Sequence, residues 1–340
     1  MRRYHQILFP LAAVAVLSVT CTAFSQTVED FYKGKTVKIV VGNSAGGGSD
    51  LNARMLARFL GKYIPGEPRI VVENMPGASS LKSVQYLDNG AATDGTVIAA
   101  FNPGLVTESL TKPDQIPIKL TDYSWIGSLS QEIRVCYLRS ELGISTFAEV
   151  LKHPGINYGE TGRGSASYID SAILRDLFGV KIKSILGYPG GAERKIAIER
   201  GELDGECTSF SSVPIEWVRS GRAKVYLRSS KVIRPGMTAE TPYITDLVSD
   251  PTKKQIIEFL HSPAYLGRPF IMSKAVPADR VAAIRKAFDA AIKDKEMNAE
   301  AEKLQLPIEG PLTGEEAAAY VSELYKSPPD VVAAARKITE

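Results

Sequence analysis

Two hydrophobic periods alternate along this chain. Thr36 to Val41 (TVKIVV) is a short β-branched apolar run between turn residues, the pattern of a buried strand. Beyond it Leu51, Met55, Leu56, Phe59, Leu60 and Tyr63 recur at helical spacing, with Ser49 or Asp50 placed to cap. Ile70 to Glu73 predicts a second strand, Leu81, Val84 and Leu87 a second helix, and Thr96 to Phe101 a third strand after the Asp94-Gly95 turn. This β-α-β-α-β order implies parallel pairing with right-handed crossovers.

The pattern then restarts. Strands are predicted at Ile133 to Leu138, Ile156 to Tyr158, Lys181 to Leu186, Leu203 to Ser209 and Lys224 to Arg228. Between them Thr146 and Glu149 form a capping box, and Ile169 to Leu177 is helical up to Gly179. A short helix ends near Arg200, and another opens at Pro214. The tail is mostly helical: Val281, Ile284, Phe288 and Ile292 share a face, and Thr313 with Glu316 caps a last helix. With too few strands for a third sheet, the tail is expected to pack back on the first domain. The chain would then cross twice between domains, near Tyr123 to Ser130 and near Arg234 to Pro242, which makes a hinge. The expected organisation is α/β, with residues 26–127 plus 236–340 in lobe 1 and 128–235 in lobe 2.

Residues 1–25 stand apart. Arg2 and Arg3 precede an apolar run, Ile7 to Val19, too short to span a bilayer, and Ala23-Phe24-Ser25 reads as a small-x-small cleavage site. A secretory signal and a periplasmic protein are expected, with lipid anchoring through Cys21 the lesser alternative. Removal of the two arginines from a net charge of +3 leaves too little basic excess for nucleic-acid binding. Cys136 and Cys207 both fall in predicted strands, so a disulfide forms if those strands are neighbours; two buried free thiols are the alternative.

Both halves carry a glycine-rich loop between a strand and a helix. First-turn N–H groups of a helix lack internal partners, and glycine lets an anion approach them. Gly46, Gly47, Gly48 and Ser49 are therefore candidates for an anion seat, and Gly162, Arg163, Gly164, Ser165 and Ser167 repeat the arrangement. Arg163 either reaches a carboxylate or, the stronger reading, is a solvated loop arginine, and Asn102 and Tyr188 end strands facing the same cleft unless they serve only as turn residues. Catalytic parts are scarce: His153 and His261 lie in no motif and read as structural or exposed, no G-x-S-x-G occurs, and no metal spacing appears. Gly46 to Leu51 gives G-x-G-x-x-L, and Glu73 ends the second strand, so a dinucleotide enzyme is the enzymatic alternative. Leu51 obstructs it, standing where a third glycine would allow close helix packing.

These residues resemble the extracytoplasmic solute receptors of tripartite tricarboxylate transporters, the Bug-type binding proteins. Val41 to Asp50 aligns without gaps with a strand followed by P-F-P-P-G-G-x-x-D. Glu73 to Ala78 matches E-N-x-P-G-A, and Asp94-Gly95-Thr96 matches the turn before the third strand. Asn157 to Gly159, Gly162 to Ser165, Tyr188 to Ala192 and Gly201 to Asp204 follow in the family's order.

The resemblance implies a type II-like, two-lobed periplasmic binding protein, each lobe a mostly parallel sheet flanked by helices, that closes on a small mono-, di- or tricarboxylate without catalysis or cofactor. It places the ligand between Asn43 to Ser49, Ser44 included, and Thr161 to Ser167. A monomer is expected to hand the acid to a large and a small membrane subunit; reporting to a sensor is the alternative. Gly42, Asn43, Ser44 and Ala45 depart from the family's prolines and aromatic, which predicts a more polar and roomier first-lobe wall.

Overall fold

The computed structural model describes residues 26–234, 237–306 and 308–339, so the expected signal segment and Cys21 lie outside the described residues. The first half runs α1 (Val28–Tyr32), β1 (Thr36–Val41), α2 (Gly48–Leu60), β2 (Arg69–Asn74), α3 (Leu81–Asn89), β3 (Val97–Ala100), α4 (Gly104–Thr111) and β4 (Ser124–Ser128). Then come β5 (Arg134–Arg139), α5 (Phe147–Lys152), β6 (Ile156–Glu160), α6 (Ala166–Phe178), β7 (Ile182–Leu186), α7 (Gly191–Glu199), β8 (Gly205–Ser209), α8 (Ile215–Arg219) and β9 (Ala223–Arg228). The tail holds α9 (Pro251–His261), β10 (Pro269–Met272), α10 (Ala278–Ala291), α11 (Lys295–Lys303), β11 (Leu312–Thr313), α12 (Gly314–Leu324) and α13 (Pro329–Thr339).

Two sheets result, ordered β11-β4-β10-β3-β1-β2 and β7-β6-β8-β5-β9. The pairs β1·β2 and β1·β3 are parallel, as the crossover pattern requires, while β10 and β11 enter antiparallel. In the second sheet β6 pairs parallel with β7 and β8, and β5 pairs antiparallel with β8 and β9. Both sheets are therefore mixed rather than mostly parallel. The hydrophobic pattern finds strands but does not carry their direction.

Alternation along each strand feeds two cores per sheet. Val37, Ile39 and Val41 join α2 and α10 on one face of the first sheet, while Val40 joins α3, α4 and α12 on the other. In the second sheet Cys136 and Leu138 pack with α5, α6, α9 and α13, and Val135 and Tyr137 pack with α7 and α8. The boundary expected at residue 236 is thus not where the packing changes. Ile256, Ile257 and Leu260 of α9 and Ala335 and Ile338 of α13 are buried in the second lobe. The chain crosses at 129–133, returns at 262–268 and crosses again at 325–328, three segments where two were expected.

Cys136 lies directly opposite Cys207 in the β5·β8 ladder, and the two form a disulfide that closes a separation of 71 residues. Both expected capping boxes are present, at Thr146 with Glu149 and at Thr313 with Glu316.

Candidate functional site

The first glycine loop is shaped from below by a buried carboxylate. Asp50, in the first turn of α2, accepts from Gly46 N–H at 2.8 Å and from Arg54 Nε at 2.9 Å. Its other oxygen accepts from Asn74 Nδ2 at 2.8 Å, and the same amide donates to Asn43 O at 2.9 Å. Burial pushes the Asp50 carboxyl upward, but Arg54 and the Gly46 and Asn74 donors outweigh it and hold it below its ordinary value. Asp50 is therefore the loop's tie, and neither it nor Ser49 is the N-cap; Gly47 occupies that position without a side-chain bond. Gly46, at φ 79°, makes the turn that only glycine adopts readily.

Between the lobes lies a cavity of about 70 Å³. Four helix N-termini open onto it: Gly47, Gly48 and Ser49 of α2, Pro103 and Gly104 of α4, Ala166 and Ser167 of α6, and Gly191 of α7. Each places roughly half a positive charge there, and Asn102 Oδ1 accepts from two of their first-turn N–H groups, Gly104 at 3.0 Å and Ala166 at 3.3 Å. Asn43, Asn102 and Thr161 also line it, and Asn43 Oδ1 and Thr161 Oγ1 are buried atoms with no hydrogen-bond partner among the described residues.

The remaining wall is ionic. Arg134 donates to Asp170 at 2.6 and 2.9 Å, and His261 Nε2 lies 3.0 Å from the other Asp170 oxygen. Burial raises Asp170, yet Arg134 and His261 reverse the shift and keep it below the usual carboxylate range. Arg194 pairs with Glu206, which also accepts from Tyr137 Oη at 3.0 Å. Arg268 Nε lies 2.9 Å from Glu132, and its Nη atoms donate to Ser49 at 3.3 Å, Ser211 at 3.0 Å and Ser212 at 2.8 Å. Three arginines thus match three carboxylates, and the Lys195 side chain has no ion pair or hydrogen bond among the described residues. Burial lowers its pKa, Glu206 opposes that in part, and Arg194 and Arg268 add to the depression.

Of the residues read from the sequence, Asn43, Gly47, Gly48, Ser49, Asn102, Thr161 and Ser167 come together on this cavity. The others take different places. Ser44 Oγ donates to Glu193 across the cleft at 2.6 Å, and Gly46 is engaged by Asp50. Arg163 is exposed and turns back to Tyr168, donating to its hydroxyl at 3.1 Å, because that ring offers an adjacent π face and oxygen. Gly164 gives way to the buried Glu108 carboxylate, which a Cβ there would strike at 1.1 Å. Ser165 caps α6, and Gly162 faces Ser79. Tyr188 lines a separate interlobe pocket with Ser79, Ser80 and Gly42.

The first-lobe wall is polar, but it is not roomier at Gly42: Ser80 and Ser83 occupy the space a side chain would need. His261, read as structural or exposed, is a member of the ionic wall. Arg134, Arg194, Lys195, Glu206 and Arg268 carried no local signal. Only a charged residue inside an otherwise apolar strand pattern, as at Arg134 and Glu206, hinted at a buried pair.

No family model matches the chain. It is 24% identical over 221 residues to a UPF0065 protein of Agrobacterium vitis, across 64% of this chain and 62% of that protein. It is 23% identical over 229 residues to BugT of Bordetella pertussis, across 65% and 69%. The chain thus spans about 62% to 69% of the length of these relatives. Among solved structures it superposes on the periplasmic binding protein BugD with a TM-score of 0.71 at 22% identity, covering 90% of this chain and 98% of that one. MatC of Rhodopseudomonas palustris, solved with malate, gives a TM-score of 0.70 at 18% identity, covering 90% and 99%. An R. palustris protein solved with adipate gives 0.70 at 15%, covering 89% and 97%. Sequence relatives and structural neighbours point the same way: the chain is similar in sequence to Bug-type proteins and shares the fold of periplasmic binding proteins.

Proposed function

We propose that this protein is an extracytoplasmic receptor that closes on a small carboxylated organic acid and delivers it to a tripartite tricarboxylate-type membrane transporter. One observation carries the reading: four helix N-termini converge on an interlobe cavity lined by three arginines, three carboxylates and Lys195. An anion there meets the positive ends of these helices and an uncompensated charge, whereas a neutral solute leaves both unsatisfied. Asn43, Gly47, Gly48 and Ser49 of the first lobe, with Asn102, Thr161 and Ser167, are the contacts assigned to the ligand. The malate and adipate seated in two structural neighbours support the ligand class.

A thermal-shift screen of the protein from Gln26 onward, refolded to strip carried-over ligand, tests this. Malate, adipate, citrate and benzoate are compared with neutral sugars. An acid at about 100 times its dissociation constant adds roughly 2.7 kcal/mol and raises the melting point by several degrees. Shifts with sugars and none with any acid would overturn the proposal.

A further inference from the structure

The small cavity does not end at Lys195. On the far side of that side chain lies a second, larger interlobe groove of about 520 Å³, and the two spaces share Glu132, Lys195 and Ser212 as walls. The chemistry changes across this junction. The groove is lined by Leu51 of α2, Phe210, Val213 and Ile215 ahead of and within α8, and Leu304 and Leu306 after α11. Leu51 and Leu304, both of the first lobe, are 41% and 47% exposed on a concave surface whose second-lobe wall is Phe210, Val213 and Ile215.

We propose that this groove is an extension subsite for the ligand's body. The acid is amphipathic, with its carboxylate held at Lys195 beside the small cavity and an unbranched alkyl or aryl portion lying between the leucines and Phe210. This rests on the carboxylate reading above and narrows it. Charge complementarity fixes the orientation. Among the described residues Lys195 is the one lysine or arginine of the cavity wall with no ion-paired carboxylate, and it lines both the cavity and the groove. Burial and the neighbouring arginines depress its pKa, so an arriving carboxylate relieves the cost of keeping it charged. The groove's arginines are paired, Arg234 with Glu309 and Arg219 with Glu216, and offer no second unpaired anion site. A short hydrophilic diacid would leave the groove's apolar surface in water. A carboxylate with an apolar body covers it.

Titration calorimetry on the whole protein with acetate, butyrate, hexanoate, octanoate and 4-phenylbutyrate tests this, with octanol as the neutral control. Affinity should rise about two- to fourfold per methylene, the range for partial to full burial, and octanol should bind far more weakly than octanoate. Leu304→Ser and Leu51→Ser should flatten the dependence on chain length, and Lys195→Met should erase the preference for octanoate over octanol. Circular dichroism on each variant verifies the fold. Binding of acetate and malate with no gain from added methylenes would overturn the subsite and leave the carboxylate reading intact. Failure of every acid to bind would overturn both. Octanol binding as tightly as octanoate would overturn the role given to Lys195.

Discussion

Single residues in this protein are set by burial first and by neighbours second. Glu160 ends β6 with a fully buried side chain, and burial pushes its carboxyl up to about 7, against lesser downward pulls from Ser171, Ser184 and Arg194. The folded protein therefore binds a proton that the unfolded chain releases near its ordinary value of 4.5. Stability from this group is fully present below pH 4.5 and is lost as pH rises through about 7, by up to about 3 kcal/mol at roughly 1.36 kcal/mol per unit. Urea unfolding at pH 5 and pH 8 should show that decline in the wild type and a flatter profile in Glu160→Gln. An equal decline in the variant would mean that another group carries it. The sequence showed that Glu160 follows a strand but not that it is sealed from water. The same limit applies to Arg163, legible as a loop arginine, whose bond to Tyr168 is set by helix geometry and not by the loop. Asp170, Arg134 and His261 are far apart in the chain, and only the fold makes them one group.

At the level of elements, the glycine loops were the most legible feature, because a strand, three glycines and an amphipathic helix state a local geometry directly. Their glycines nevertheless serve different ends. Gly48 has an ordinary helical backbone, but a Cβ there would meet Ser212 Oγ at 2.2 Å and Arg268 Nη2 at 3.1 Å. A Cβ at Gly47 meets nothing closer than Gly191 N at 3.5 Å. Gly48→Ala should therefore fold normally but resist closing against the second lobe, lowering acid affinity about 5- to 150-fold for an overpacking cost of 1–3 kcal/mol. Gly47→Ala should change it less than about threefold, a cost near 0.6 kcal/mol. Equal effects in a paired titration would mean that the loop is not the closing surface. Elements without such a signal were missed. β4 is Ser-Trp-Ile-Gly-Ser and β10 is only four residues, too short and too mixed for either period to register. The amphipathic pattern of α9 was present, yet periodicity reports that a helix has an apolar face and not which sheet that face covers.

Across the whole molecule the described residues form two mixed sheets joined by three crossings, with the lobes drawn together by a few polar contacts. Ser44 Oγ donates to Glu193 at 2.6 Å, Ala166 N–H donates to Asn102 Oδ1 at 3.3 Å, and Arg268 reaches Ser211 and Ser212 from the returning crossing. None of these joins residues that neighbour in sequence, so two lobes were legible from the restarted pattern while the manner of their closure was not. The contacts differ in what they support. Arg268 also neutralises the buried Glu132, so its removal leaves an unpaired charge and threatens the fold itself. Ser44 bonds across the cleft and ties no core element, so its loss acts on closure alone. A hydrogen bond of about 1–1.5 kcal/mol that exists only when the lobes meet adds that much to ligand retention. Ser44→Ala should thus weaken acid binding about 5- to 13-fold, almost wholly through faster release, since association begins before the lobes close. Stopped-flow release rates would show this directly, with small-angle scattering of the saturated variant still matching the closed wild type. A slower association rate with unchanged release would place Ser44 on the entry path instead and separate this contact from the closing equilibrium.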